Sequence, residues 1–126
     1  MSGTLLVVND GEDVLDVMVE YLGALGYRVL PAGSGREAIA RIEGPTRFDL
    51  AVVDWSLPDL PGRDVVLALR RRQPDCAVIV TSGHAEEGVH DLQARHLGVQ
   101  LVRKPYALRA LALRIGLVLE HARANH

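Results

Sequence analysis

Five short apolar runs alternate with segments of helical periodicity, and this alternation restricts the fold more than any other feature of the chain. The runs are TLLVVN (4–9), YRVLPA (27–32), DLAVVD (49–54), AVIVTS (77–82) and QLVRK (100–104). Short apolar runs bounded by turn residues are typical of buried strands. The segments between and after them predict five helices, at 12–26, 34–43, 63–73, 86–97 and 106–123.

Strands that alternate with helices predict a parallel sheet covered on both faces, because the crossovers between parallel strands place helices there. The pattern therefore predicts an α/β fold with a doubly wound, five-stranded parallel sheet, (βα)5, in one domain over residues 1–126. In the first helix, the apolar residues at helical spacing are Val14, Val17, Met18, Tyr21, Leu22 and Leu25.

Polar or reactive residues stand at the carboxyl ends of four of the five predicted strands. They are, in chain order, Asn9 and Asp10, Asp54, Thr81 and Ser82, and Lys104. Because the carboxyl ends of parallel strands lie at one edge of the sheet, where such sheets bind ligands, we expect these side chains to converge. A carboxylate at the edge of an apolar core costs free energy unless it is paired, so Asp54 predicts a charged site.

Asp10 and Asp54 would repel each other unless a cation lay between them, so they predict a metal site. Hard oxygen ligands in small number suit Mg²⁺, which keeps several waters and binds through one or two carboxylates plus a phosphate. Lys104 adds a positive charge and Thr81 a hydroxyl donor, and both stabilise the oxygens of a phosphoryl group in transfer. An aspartate can itself be the nucleophile, so Asp54 is the expected phosphoacceptor.

Four blocks of the chain resemble the motifs of the response regulator receiver domain of two-component signalling, which has a fold like that of chemotaxis regulators. The blocks are LLVVND, VVDWSLPDLPG, VIVTSGH and LVRKPY, and they follow in the family's order and spacing over essentially the whole chain. The resemblance implies a flavodoxin-like sheet with the strand order 2-1-3-4-5, and a cis peptide bond before Pro105.

The resemblance also implies a role for each residue of the predicted site. Asp54 would accept a phosphoryl group from a histidine kinase or a histidine phosphotransfer protein. Mg²⁺ would be held by Asp10, Asp54 and the backbone carbonyl of Ser56. Lys104 would pair with a phosphoryl oxygen, and Thr81 would turn toward the phosphoryl group. Such a protein is a signalling switch with self-catalysed phosphorylation and dephosphorylation rather than an enzyme.

Two positions depart from the family's pattern. Asn9 stands where receivers usually carry a second acidic residue; an amide orients a metal-bound water but adds no charge, so we expect weaker Mg²⁺ binding. Leu101 stands where the family commonly has Tyr or Phe, so the usual inward rotation of that ring is not available. Both departures favour an alternative, a pseudo-receiver that acts as a protein-interaction module and is not phosphorylated.

A mononucleotide-binding domain on the same fold is a further alternative. It would need a phosphate loop rich in Ser, Thr and Gly after the first strand, where this chain has the acidic segment NDGED. The sequence therefore favours the receiver over a nucleotide-binding domain.

Composition narrows the expected partners and location. The net charge is −2 and the densest basic block is Arg70–Arg72, which argues against direct binding of nucleic acid. Cys76 is the single cysteine, so no intrachain disulfide forms and a cytoplasmic location is expected. No apolar run approaches the roughly 20 residues of a membrane span. We also expect no output domain within the 126 residues.

The last predicted helix carries more leucines than one buried face needs. Its core face is expected to contain Leu108, Leu111, Ile115, Val118 and Leu119. Leu113 and Leu117 fall instead on the polar side, between an Arg109–Glu120 edge and an Arg114–His121 edge. Apolar stripes with polar borders are typical of contact sites. Together with Leu101, they predict a partner surface, with homodimerisation through the last helix and the fifth strand.

Overall fold

Five parallel strands make up the sheet in the computed structural model, which describes residues 2–83 and 98–124. The strands are β1 (Thr4–Val8), β2 (Arg28–Ala32), β3 (Leu50–Asp54), β4 (Ala77–Ser82) and β5 (Val99–Arg103). They lie in the order β2-β1-β3-β4-β5, as expected. All five residues of the central strand β3 are buried, which agrees with its prediction as a buried apolar run.

Four helices connect or follow these strands in the described part of the chain. They are α1 (Glu12–Ala24), α2 (Gly35–Glu43), α3 (Gly62–Arg72) and α4 (Leu108–Ala124). The helix predicted at 86–97 lies outside the described residues. Across residues 2–83 and 98–124, no helix has the length and apolar character needed to cross a membrane.

The sheet separates two apolar cores, because successive side chains of a strand point to opposite faces. On one face, α1 and α4 cover a core that includes Leu5, Val7, Val52, Ile79, Met18, Leu22, Leu111 and Ile115. On the other face, α2 and α3 cover a core that includes Leu6, Val8, Val53, Val80, Ile42, Val65 and Leu69. Each such side chain contributes roughly 1.5–3 kcal/mol on burial, which holds the strand ends in fixed register.

Cys76 packs as a small apolar residue in the core beneath α2 and α3 and is 2 % exposed. Burial raises the pKa of its thiol to about 12.

Helix α2 begins with a reciprocal cap. The N-cap residue Ser34 accepts a hydrogen bond on Oγ from the backbone N–H of Glu37 at 3.1 Å. The Glu37 carboxylate in turn accepts from the backbone N–H of Gly33. A residue distant in the sequence caps the same helix end. The Asp59 carboxylate accepts hydrogen bonds from the N–H groups of Gly35 and Arg36, both at 2.9 Å. The segment after β3 is thus tied to the start of α2.

The buried face of α1 includes only some of the apolar residues that stand at helical spacing. The structure buries Leu15, Met18 and Leu22. It leaves Val14, Val17 and Leu25 exposed, by 44 %, 53 % and 37 %. A helix on a sheet buries a stripe about 100° wide, and here the stripe is centred near Leu15 and Leu22. Of the apolar residues at helical spacing, Met18 and Leu22 therefore lie in the buried stripe, and Val14, Val17 and Leu25 lie outside it.

Candidate functional site

The carboxyl ends of the strands bring the predicted site residues to one edge of the sheet. In the parallel register, Val8 of β1 and Val80 of β4 both pair with Val53 of β3, and Thr81 pairs with Asp54. Asn9 and Asp10 continue from β1, and Lys104 continues from β5. The ends of β1, β3 and β4 are therefore aligned by apolar pairs that lie one residue before the polar groups.

Asp54 is a buried carboxylate with a donor on each oxygen. Its side chain is 3 % exposed. The ammonium group of Lys104 donates to Oδ2 at 3.0 Å, and the backbone N–H of Ser56 donates to Oδ1 at 3.1 Å. Since burying an unpaired polar group is costly, these two donors offset the burial of the Asp54 side chain.

Asn9 and Asp10 lie beside Asp54 but in different environments. Asn9 is buried, and its Oδ1 accepts a hydrogen bond from the backbone N–H of Gly11 at 2.8 Å. This bond uses the Asn9 carbonyl oxygen to hold the turn between β1 and α1. Asp10 is exposed and lines the same cleft as Asp54 and Lys104. A carboxylate open to solvent and a buried one thus share the cleft.

Thr81 and Lys104 are positioned by the backbone of their neighbours. Thr81 is 1 % exposed. Its backbone carbonyl oxygen accepts a hydrogen bond from the N–H of Trp55 at 2.9 Å. The N–H of Lys104 donates to the carbonyl oxygen of Ser82 at 2.8 Å. The peptide bond between Lys104 and Pro105 is cis, as expected. These bonds tie the ends of β3, β4 and β5 together around Asp54.

Gly62 lets the loop after β3 fold back onto the site. A Cβ at this position would lie 2.6 Å from the carbonyl oxygen of Asp54 and 2.7 Å from the Cα of Trp55. Both of these atoms belong to the backbone and cannot move aside cheaply. The glycine of the VVDWSLPDLPG block is therefore required by the close approach of α3 to the end of β3.

The donor set at this edge fits a magnesium ion. Asp10 and Asp54 supply hard carboxylate oxygens, and the Ser56 backbone lies against Asp54. Within residues 2–83 and 98–124, no three His, Cys, Asp or Glu side chains cluster to hold a metal ion by themselves. A backbone carbonyl and waters would complete the shell, which suits Mg²⁺ better than a metal that needs a full set of side-chain ligands.

Comparison of the chain with known proteins identifies its family. Residues 5–116 match the model of the response regulator receiver domain. The chain belongs to this family. Receiver domains of this kind are the switches of two-component systems, and the response regulator family interacts with histidine kinases.

Similar proteins agree on the family and the fold. The receiver is 33% identical over 124 residues to the response regulator SaeR of Staphylococcus aureus, an alignment covering 97% of this chain and 53% of SaeR. The chain thus spans about half the length of that curated relative. A CheY-like receiver domain protein from Methanospirillum hungatei has a TM-score of 0.89 at 26% identity, with 100% of both chains covered. A receiver domain protein from Clostridium thermocellum, at 24% identity and covering 98% of each chain, shares the fold with a TM-score of 0.84.

An open cleft of about 830 Å³ leads to the acidic site of the receiver, and one side of it is apolar. The apolar lining consists of Val14, Val17, Met18, Tyr106 and Leu108. The sequence pattern did not predict this wall: Val14 and Val17 were identified only by their helical spacing, and Leu108, expected on the core face, packs against the core and also lines the cleft. The available signal was that α1 has more apolar positions than one stripe on a sheet can bury.

Tyr106 is a further site residue that sequence reasoning missed. It is half-buried, lines the cleft and donates its hydroxyl to the sulfur of Met18 at 3.9 Å. Burial, and then the negative charge of Asp54, raise the pKa of the Tyr106 hydroxyl above its ordinary value. The hydroxyl therefore stays neutral, and the ring lines the cleft in contact with Met18 of α1.

The three leucines of the predicted partner surface do not lie together. Leu113 and Leu117 are 58 % and 63 % exposed on α4. Leu101 is half-buried and packs against the core on the α2 and α3 face of the sheet, whereas α4 covers the opposite face. Any surface built on Leu113 and Leu117 is therefore a surface of α4 itself.

Proposed function

We propose that this receiver takes a phosphoryl group onto Asp54 from the phosphohistidine of a histidine kinase or phosphotransfer protein, with Mg²⁺ bound, and thereby switches its binding to partners. The observation that carries the proposal is the ion pair between Asp54 and Lys104, with Nζ 3.0 Å from Oδ2. A buried carboxylate at a sheet edge, next to an ammonium group and a second carboxylate, is equipped to be a nucleophile toward phosphorus.

In the proposed step, a carboxylate oxygen of Asp54 forms a bond to phosphorus while the phosphorus–nitrogen bond of the donor breaks. The histidine nitrogen leaves with the electron pair of that bond and is protonated, and Asp54 becomes an acyl phosphate. Lys104 already contacts Oδ2, so its charge is in place to neutralise a phosphoryl oxygen. Thr81, the register partner of Asp54, offers a hydroxyl to another oxygen.

Magnesium, when bound, offsets the negative charge of the phosphoryl oxygens and of the two carboxylates. Asp10, Asp54 and the backbone carbonyl of Ser56 would hold it, and Asn9 would orient one of its waters. Because Asn9 Oδ1 accepts from Gly11, its amide group is fixed beside the site rather than free to turn. This arrangement supports a weaker metal site than one with two acidic residues in the first block.

The apolar wall of the cleft supports a protein as the phosphoryl donor. Val14 and Val17 are exposed on α1, and both line the cleft that leads to Asp54. A small phosphodonor needs no apolar contact of this extent, whereas a helix that presents a phosphohistidine does. We therefore place the docking side of the kinase or phosphotransfer protein on α1 and the segment around Tyr106.

The test is incubation of the chain with acetyl phosphate and Mg²⁺, followed by intact-mass measurement. We expect one added phosphoryl group, lost in Asp54→Asn and retained in Asp64→Asn, which changes an exposed aspartate on α3. Absence of labelling in the unmodified chain would reject the proposal in favour of the pseudo-receiver, and undiminished labelling of Asp54→Asn would reject this acceptor.

The proposal includes the location of the protein and its relation to nucleic acid. A single cysteine, Cys76, and a net charge of −2 support a cytoplasmic protein that does not bind nucleic acid directly.

A further inference from the structure

We propose that an arginine pocket, formed by Arg47, Arg71 and Arg72, binds a pyrophosphate group, the pair of linked phosphates that inorganic pyrophosphate and nucleotides share. The three arginines line an open cavity of about 480 Å³ between the end of α2 and the end of α3. Among the described residues, none that lines this cavity also lines the cleft that leads to Asp54. The proposal is therefore independent of phosphorylation at Asp54.

The arginine pocket lies at the edge of the sheet opposite to Asp54. Asp54 ends β3, whereas Arg47 lies in the loop before β3 and Arg72 ends α3, which leads into β4. From its first Cα to its last, β3 is about 13 Å long at roughly 3.3 Å per residue. A pyrophosphate group is much shorter than this distance. An anion in the pocket therefore does not contact Asp54 or Lys104.

The three guanidinium groups have no partner in the described part of the chain. Within residues 2–83 and 98–124, none of them forms an ion pair or a side-chain hydrogen bond. All three arginines are exposed, so their charges are accessible to an incoming anion. Like charges around one cavity repel each other, and a bound anion would offset that repulsion.

A buried glutamine forms a fixed base for the pocket. Gln73 is 5 % exposed, and its Nε2 donates to the carbonyl oxygens of Ile42 at 3.1 Å and Thr46 at 2.9 Å. Its Oε1 accepts from the backbone N–H of Phe48 at 2.8 Å. These bonds tie the end of α2 and the loop that carries Arg47 to the end of α3. The backbone around the pocket is therefore in place before an anion binds, which lowers the cost of binding.

The chemistry of three guanidinium groups favours a ligand with several phosphoryl oxygens. Each guanidinium group donates parallel N–H groups to a pair of oxygens. Pyrophosphate has terminal oxygens on both phosphorus atoms and several negative charges, so each arginine can bind a different pair. A single carboxylate would leave arginines unpaired. Nucleic acid spreads its phosphates along a strand, and the net charge of −2 opposes its binding.

Stabilisation of a helix end explains only part of this cluster. Arg70, Arg71 and Arg72 lie in the last turn of α3, where basic residues interact favourably with the helix dipole. Arg47 belongs to no helix, yet the bonds from Gln73 to its two neighbours hold it at the same cavity. A role at the helix end alone predicts that replacing these arginines changes stability but that pyrophosphate does not bind.

Two features weaken the proposed site. Glu43 also lines the cavity, and the ends of α2 and α3 carry partial negative charge. We therefore expect a dissociation constant on the order of 0.1 mM for pyrophosphate at low salt. Binding should weaken further as salt is added, because exposed charges are screened.

Isothermal titration calorimetry with inorganic pyrophosphate, in EDTA and low salt, tests the proposal. We expect binding of one pyrophosphate per chain. Arg47→Gln, Arg71→Gln and Arg72→Gln should each weaken it by about tenfold, because each removes a charge-assisted pair. The matched control is Arg109→Gln, an exposed arginine on α4, which makes the same change in net charge and should bind as the unmodified chain does.

A substitution of the opposite sign keeps the test decisive even if an arginine variant unfolds. Glu43→Gln removes the acidic group from the cavity and should tighten pyrophosphate binding severalfold. Glu20→Gln, at an exposed position on α1, is its control and should have no effect. Circular dichroism of each variant checks folding.

ADP in place of pyrophosphate distinguishes the two sources of the group. Equal or tighter binding of ADP supports a nucleotide, and binding of pyrophosphate alone supports the free ion. Three results would overturn the proposal: no binding of either compound, binding unchanged in all three arginine variants, or binding lost in Lys104→Ala, which would place the anion beside Asp54. Tighter binding of a single-stranded oligonucleotide than of pyrophosphate would also overturn it.

Discussion

Lys104 lies 50 residues beyond Asp54 in the chain, yet its ammonium group is 3.0 Å from Oδ2 of that carboxylate. The pair joins the end of the edge strand β5 to the end of the central strand β3, across the end of β4. Asp54 is buried, whereas the Lys104 side chain is 37 % exposed. The exposed partner can therefore move with an incoming phosphoryl group while the carboxylate stays fixed.

Replacing Lys104 by alanine should slow labelling of the chain by acetyl phosphate by roughly a hundredfold, the usual effect of removing one donor to a developing anion. Lys104→Arg, which keeps the charge, should recover part of the rate. The measurement is the time course of intact mass at fixed Mg²⁺. Labelling of Lys104→Ala at the unmodified rate would show that this ammonium group has no part in the reaction.

Gly62→Ala should lower the free energy of unfolding by about 1–3 kcal/mol, the usual cost of forcing an atom into a packed region. The added Cβ would meet backbone atoms of Asp54 and Trp55. The control is Gly23→Ala, which meets nothing within 4 Å on α1 and should be neutral or stabilise by up to about 1 kcal/mol. Urea denaturation of both variants compares them, and equal effects would contradict the steric account.

Asn9→Asp should tighten Mg²⁺ binding by about tenfold, because it adds one negative charge close to the metal. The carboxylate can still accept from the Gly11 N–H, so the turn is kept. Trp55 is the single tryptophan and follows Asp54 directly, so its fluorescence reports a Mg²⁺ titration. A titration curve that overlays that of the unmodified chain, or lies at higher Mg²⁺, would be inconsistent with the metal site described.

Asp59→Asn should destabilise the chain at neutral pH and have less effect in acid. Hydrogen bonds from the Arg36 and Gly35 N–H groups lower the pKa of the Asp59 carboxyl below its ordinary value of 3.8. A lowered pKa in the folded state gives stability that is present above the ordinary pKa and is lost as the pH falls through the folded value.

Urea denaturation gives the free energy of unfolding of the unmodified chain and of Asp59→Asn. The measurement is repeated from neutral pH down to pH values below 3.8, the ordinary pKa of an aspartate. The difference in the free energy of unfolding between the two proteins should become smaller in acid. Asp16→Asn, an exposed aspartate in the middle of α1, is the control. A difference that stays constant over the pH range would mean that the carboxylate does not act as the second cap of α2.

The strand ends could be predicted from the sequence because a parallel sheet leaves them little freedom. Once Leu50–Asp54 is a buried central strand, the groups that end its neighbours must lie beside Asp54. The sequence also placed Lys104 at this edge, whereas its direct contact with Oδ2 of Asp54, across the end of β4, is a finding of the structure.

Other features could not be predicted, because they depend on how elements sit against each other. Apolar spacing on α1 does not say which edge of the helix faces the sheet, so it did not predict that Val14 and Val17 line the cleft. Asp59 reads as a turn residue, yet its partner is a helix start 24 residues earlier in the chain. Tyr106 becomes part of the site only through its position against Met18.

The central claim is that Asp54 is the group that receives the phosphoryl group, and borohydride trapping tests it most directly. An acyl phosphate is reduced by borohydride to the alcohol, which converts the modified aspartate to homoserine. The chain is incubated with acetyl phosphate and Mg²⁺, reduced, digested and sequenced by mass spectrometry. Homoserine at position 54, absent when acetyl phosphate is omitted, is the predicted result. Homoserine at Asp10 or another acidic residue, with position 54 unchanged, would contradict the account.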